Sequence, residues 1–205
     1  GLDARITNYI ERAALSQATV TRTKSISACG RPKPANQALS TTPFTYVTDE
    51  AALEKAVEAV SRHSTLGVDT ETTGLDPLRS RVRLLQLATP AHSFVIDLFQ
   101  VQALEHSGLR GLLSSPDPIK IFHNAKFDLK MLLCHFGLEV RGVFDTLLAS
   151  QLIGAGRSEG GHGLAAVTDR HLGEIIDKTM QTSDWAGVLS QAQQEYAAND
   201  AALLI

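Results

Sequence analysis

Three strand-like runs, at residues 65–69, 83–88 and 94–97, follow one another with turn residues at 74–77 and 90–92 and no helical period between them. A parallel crossover needs about a dozen residues, usually folded as a helix, so these runs are expected to pair as an antiparallel meander. Beyond them the pattern changes. Residues 109–113 suit a short helix, Ile119, Ile121 and Phe122 belong to a short buried strand, and a helix is expected over 125–135. Val143 and Phe144 lead into a further helix through Leu152, and helical periods return over 164–172 and 191–204. Ahead of the meander, residues 44–47 read as a strand, and Thr48 or Asp49 caps a helix whose apolar face includes Ala52, Leu53, Ala56, Val57 and Val60. This order predicts an α/β domain in which a mixed sheet with an initial antiparallel meander is flanked by helices, not a purely parallel arrangement.

The remaining residues divide the chain. Residues 1–18 are expected to form an N-terminal helical appendage, 19–43 a flexible linker, and 44–205 the main domain. The last helical pattern runs to Ile205 without a stop signal, so a fragment of a longer protein is expected. Residues 1–40 hold six Lys and Arg against two acidic residues, which leaves thirteen against twenty and a formal charge of −7 for 41–205. Bulk charge is therefore not the main grip on nucleic acid, whereas local capture of one strand end stays compatible with it. Cys29 and Cys134 are too few for a disulfide scaffold or a structural zinc site. No run reaches the roughly eighteen apolar residues of a membrane helix, so no membrane partner is expected. The expected location is cytoplasmic or nucleoid-associated, and the Ser-, Thr- and Arg-containing stretch 16–33 leaves an organellar one open. The Gly-rich stretch 154–163 lacks the spacing of a P-loop and reads as a flexible loop.

Four acidic residues carry the chemistry. Asp69 and Glu71 are two apart, so on a strand both project from one face. Asp128 opens a helix that packs through Phe127, Leu129, Met131, Leu132 and Leu133; taken alone it could simply favour the helix dipole. Asp200 and Tyr196 are four apart and share a helical face. A group of carboxylates is hard to hold together unless cations neutralise it, and two oxygen-ligated ions poised over a phosphate are the usual reason, which points to phosphodiester hydrolysis. His123, His162 and His171 have no compact ligand spacing, and a zinc site is not expected there.

Asp-Thr-Glu-Thr-Thr-Gly-Leu at 69–75, His-Asn-Ala-Lys-Phe-Asp at 123–128 and Tyr-Ala-Ala-Asn-Asp at 196–200 resemble, in order, the three motifs of the DEDD 3′-5′ exonucleases, tyrosine subclass. Proofreading domains of bacterial family A DNA polymerases and ribonuclease D belong to that family. The resemblance covers 44–205, including Phe144-Asp145-Thr146 and Gln181-Thr182-Ser183-Asp184-Trp185. Gln194 and Glu195 precede Asp200 where the histidine subclass would need His.

The resemblance implies a ribonuclease H-like fold with two divalent cations, Mg²⁺ or Mn²⁺, held by Asp69, Glu71, Asp128 and Asp200. Asp69 would bridge them, Glu71 would also orient the attacking water, and Tyr196 would position that water through its hydroxyl. By motif position Thr72, Leu75 and Asn124 would contact the terminal nucleotides, with core packing as the other reading of Leu75, and Asp145 would orient a polar neighbour. Lys126 and Lys130 could follow the phosphate path or simply be solvated. Trp185 could stack on a base or anchor its loop. The expected substrate is a single-stranded DNA 3′ end, with a fused or associated DNA polymerase domain as partner. The alternatives are a ribonuclease D-like enzyme acting on RNA 3′ ends, an endonuclease of the same fold, and a catalytically silent binding or structural module.

Overall fold

The computed structural model describes residues 42–101, 108–154 and 160–205. The helix expected over 1–18, nearly all of the linker expected over 19–43, and the middle of the Gly-rich loop lie outside the described residues. Strand β1 (Phe44–Val47) leads into α1 (Glu50–Val60), capped by Asp49, whose carboxylate accepts from the Ala52 N–H at 2.8 Å. The meander follows as β2 (Thr65–Thr72), β3 (Val82–Ala88) and β4 (Ser93–Asp97). Then come α2 (Gly108–Ser114), β5 (Ile119–Phe122), α3 (Ala125–Phe136), β6 (Val143–Asp145), α4 (Thr146–Ile153), α5 (Leu164–Leu172) and α6 (Gln191–Ala202).

The strands form one mixed sheet in the order β1-β4-β3-β2-β5-β6. β3 is antiparallel to both β2 and β4, while β1 pairs with β4, β5 with β2, and β6 with β5 in parallel. The expected meander is therefore present, and the whole is a ribonuclease H-like α/β arrangement. β6 is the difference: Val143 and Phe144 were expected only to lead into a helix, yet with Asp145 they form a strand beside β5. Three residues on a sheet edge are too short to display an alternating pattern.

The sheet buries both faces. On one, Leu66, Val68, Leu85, Leu87 and Ile96 pack against Leu53, Ala56 and Val60 of α1, Leu109 and Leu113 of α2, and Met131 and Leu132 of α3. On the other, Leu84 and Val95 pack against Ala197 and Ala198 of α6 and against Trp185 and Leu189. Gly67 makes the second contact possible, because a Cβ at that position would run into the carbonyl of Ala201 in α6. Among the described residues no helix is long and apolar enough to cross a membrane.

β2 runs three residues past its expected end, so Asp69 and Glu71 lie within the strand. At that level Glu71 pairs with Leu84 and Thr72 with Val82, which leaves Arg83 as the extra residue of a bulge. Arg83 is almost fully buried and forms a bidentate pair with the buried Asp97, with both contacts at 2.9 Å. Its remaining nitrogen donates to the carbonyl of Gly187 at 2.9 Å, with those of Ala186 and Trp185 at 3.4 and 3.5 Å. The bulge thus fastens the 185–187 loop to the sheet.

Candidate active site

Because β2, β5 and β6 are parallel, their carboxyl ends share one edge of the sheet, and the chain enters α3 and α4 there. A cleft of about 680 Å³ opens at that edge. Asp69, Glu71, Thr72, Leu75, Asn124, Asp128, Tyr196 and Asp200 all line it. Lys178 and His123 join them.

Asp69 and Glu71 project from one face of β2 toward α6, whose Tyr196 and Asp200 point back. Carboxylate oxygens of Asp69, Glu71 and Asp200 lie within 4.8 Å of one another. Asp128 falls outside that triad, yet its charge acts on both Asp69 and Glu71. It sits in the first turn of α3, buried, and accepts a hydrogen bond from the hydroxyl of Thr70 at 2.5 Å. Thr70 reaches it from the face of β2 opposite to Asp69. The strand therefore serves two acidic groups at once, one from each face.

Crowding and burial penalise ionisation. Desolvation first, then the charges of Asp128, Glu71 and Asp200, holds Asp69 well above the usual carboxylate range. Burial, then Asp200 and Asp128, pushes Glu71 up to about 9. Burial raises Asp128 to about 7 against the hydrogen bond from Thr70, and Asp200 to about 6 against Tyr196 and Lys178. Burial and the neighbouring Asp200 carboxylate raise Tyr196 far enough to keep its phenol protonated. An all-oxygen donor set whose members repel one another suits hard divalent cations, whose charge would reverse the penalty. Among the described residues this triad is the one group of His, Cys, Asp or Glu compact enough to hold a metal ion.

The other expected residues are arranged differently. The Asp145 carboxylate accepts from the backbone N–H groups of Asn124 and Ala125, each at 3.0 Å, and of Leu147 at 2.9 Å. It orients a backbone turn instead of a polar side chain. That turn needs the support, since Asn124 has the left-handed φ of 67°. Leu75 is 83% exposed at the lip of the cleft, which removes core packing as its explanation. The Thr72 hydroxyl donates to the Gly74 carbonyl at 2.7 Å and shapes the following turn. Trp185 is only 4% exposed and packs beside Tyr196, with ring centroids 6.4 Å apart, so it anchors its loop at the wall of the cleft. Lys126 and Lys130 are exposed on α3 and do not line the cleft. His123 pairs with Thr146 and His162 with Ser150, each at 2.9 Å.

Sequence reasoning missed Thr70, Arg83 and Lys178. Thr70 was visible as the residue between Asp69 and Glu71, but its partner lies 58 positions away and only the fold joins them.

A family profile described as 3′-5′ exonuclease matches residues 44–205. DNA polymerase I of Aquifex aeolicus (strain VF5) is 42% identical over 162 residues, which cover 78% of this chain and 26% of that protein. Ribonuclease D of Shewanella sp. (strain ANA-3) is 33% identical over 159 residues, covering 77% and 39%. Among solved structures, Brucella melitensis NrnC with bound Mg²⁺ superposes with a TM-score of 0.64 at 34% identity, covering 79% of this chain and 75% of that one. The chain thus spans about a quarter of the polymerase and two fifths of the ribonuclease. Since the matched region contains all four acidic residues that line the cleft and the relatives include both polymerase-type and ribonuclease D-type enzymes, this chain belongs to the DEDD group of the 3′-5′ exonuclease family.

Proposed function

We propose that this domain removes nucleotides one at a time from the 3′ end of single-stranded RNA, as a two-metal-ion exonuclease of the tyrosine subclass. The observation that carries the reading is the convergence of Asp69, Glu71 and Asp200, with Asp128 and Tyr196 beside them, in one cleft. Asp69, Glu71 and Asp200 would hold one divalent cation, and Asp128 with Asp69 a second; Asp69 feels the charge of Asp128 as well as those of Glu71 and Asp200, which suits it to serve both. Mg²⁺ or Mn²⁺ bound there would supply positive charge to the scissile phosphate and acidify a water molecule.

The chain's own residues do the rest. Tyr196 stays a phenol, so its hydroxyl can hold the attacking water by hydrogen bonding without acting as a base. Glu71 lies close enough to Asp200 to orient the same water. Attack at phosphorus breaks the bond to the 3′ oxygen and releases a nucleoside 5′-monophosphate, with no covalent enzyme intermediate. Leu75, exposed at the lip, would wedge against the terminal bases, with Thr72 and Asn124 along the sugar and phosphate.

RNA is favoured over the DNA expected from sequence because most of the relatives are RNA exonucleases, including ribonuclease D and exosome RRP6 proteins. A second reading, a DNA proofreading domain, is supported by the 42% identity to DNA polymerase I. Matched 5′-labelled single-stranded RNA and DNA, incubated with Mg²⁺ or Mn²⁺, test both. The expected result is a ladder of shortening RNA that Asp69→Ala abolishes. A faster DNA ladder replaces the first reading with the second, whereas internal fragments or an Asp69→Ala-insensitive ladder overturns both.

A further inference from the structure

Gln86 lies in the middle of β3 with 0% exposure, and neither Oε1 nor Nε2 has a hydrogen-bond partner among the described residues. Other orphaned polar side chains, Trp185 and the two histidines 123 and 135, lack a partner at one atom; Gln86 lacks one at both. A buried amide that pairs with nothing costs folding free energy, and an apolar side chain of the same length would remove that cost. Packing alone therefore does not account for a glutamine here.

Its neighbours supply a reason. Gln86 pairs directly across the ladder with Asp69 on β2 and with Val95 on β4, so all three side chains leave the same face of the sheet. Leu84 and Ala88 flank it along β3, and the Ala197 and Ala198 surface of α6 covers that face. Asp69 is thus its one polar cross-strand partner. An amide nitrogen donates and a carboxylate accepts, and directly paired residues have Cβ atoms roughly 4.5–5.5 Å apart. Rotation about the Gln86 side-chain torsions would bring its amide toward that carboxylate.

We propose that Gln86 is a positioning residue for Asp69: in the cation-loaded site its Nε2 donates to a lone pair of the Asp69 carboxylate that the cations leave free, fixing the plane of the shared ligand. The inference rests on Asp69 being a cation ligand, as in the function proposed above. A hydrogen bond from outside the coordination sphere sets ligand orientation, so its loss lowers metal affinity without removing a ligand.

The test uses the whole chain with Mn²⁺ alone, measuring binding by isothermal titration calorimetry and thermal stability in parallel. Gln86→Met keeps length and volume but deletes both polar atoms. The expected result is a metal-free Tm equal to or above that of the parent chain, together with Mn²⁺ binding weakened about 10- to 100-fold. A purely packing role moves the Tm alone, so unchanged Mn²⁺ binding at a raised Tm overturns the proposal. If the parent chain itself binds no Mn²⁺, the cation site fails, and the inference fails with it for that separate reason. Should Gln86→Met not fold, the side-chain amide resonances of Gln86 in the ¹⁵N-labelled parent chain decide: a shift on Mg²⁺ titration supports the bond, and unmoved resonances overturn it.

Discussion

Replacing Arg83 by methionine keeps the apolar stem and removes the guanidinium that joins Asp97 to the 185–187 loop. Asp97, fully buried, would lose both 2.9 Å contacts and keep only the Tyr46 hydroxyl at 2.5 Å and the Phe99 N–H at 3.0 Å. The carbonyl of Gly187 would lose its donor as well. Stranding one charge of a buried pair costs about 3–5 kcal/mol. At roughly 2–4 °C per kcal/mol for a domain of this size, Tm is expected to fall by about 6–20 °C, read by calorimetry or far-UV circular dichroism. Replacing Asp97 by leucine in the same chain removes the stranded charge and is expected to restore part of the loss. Turnover measured well below the new Tm is expected to drop too, because the freed 185–187 loop carries the Trp185 against which Tyr196 rests. A Tm change under about 2 °C, smaller than a single lost buried hydrogen bond would give, refutes the reasoning.

Tyr196→Phe keeps the ring against Trp185 but removes the hydroxyl, so single-turnover rates at saturating Mg²⁺ are expected to fall about 10- to 100-fold, with an unchanged Tm; an unchanged rate would remove Tyr196 from the water-positioning role. Chelation by EDTA is expected to abolish hydrolysis and to give stability a pH slope. Glu71, Asp128 and Asp200 are raised to about 9, 7 and 6 in the folded chain, so between about pH 4 and 9 the folded state holds more protons than the unfolded one and stability falls as pH rises. Saturating Mg²⁺ should flatten that slope, and a chelated chain equally stable across the range would contradict the crowding described. Gly67→Ala drives a methyl into the Ala201 carbonyl and is expected to destabilise by about 1–3 kcal/mol in urea titration. An unchanged midpoint would mean that α6 lifts off β2 without cost.

Sequence made the scaffold legible wherever one short pattern dictated one outcome. The turn residues after Ala88 and Gly67-Val68-Asp69 at the end of an apolar run define the meander, and Asp49 defines the start of α1. The acidic residues stood out because Asp69 and Glu71 share a strand face, Asp200 shares a helical face with Tyr196, and Asp128 opens a helix within a matching motif. What stayed hidden depended on contacts between distant segments. The run Val82–Ala88 is buried throughout, so no alternation betrays the bulge at Arg83 or separates Gln86 from its apolar neighbours. Trp185 offered two uses until burial decided between them. The backbone N–H groups that Asp145 accepts from were not legible, because such bonds leave no mark on the neighbours' side-chain identities. The preference for DNA rested on the Thr-Glu-Thr-Thr-Gly-Leu-Asp-Pro run and on the helical pattern reaching Ile205, neither of which is a contact with a sugar.

The acidic residues are also ordered in time. β2 leaves the ribosome first, α3 follows, and α6, with Tyr196 and Asp200, comes more than a hundred residues after Asp69. A nascent chain that has folded its sheet but not yet received α6 holds two carboxylates on an uncovered face, with the third member of the triad still unmade. The carboxylate triad is therefore complete only when α6 seats on Gly67, in the same event that closes the second core.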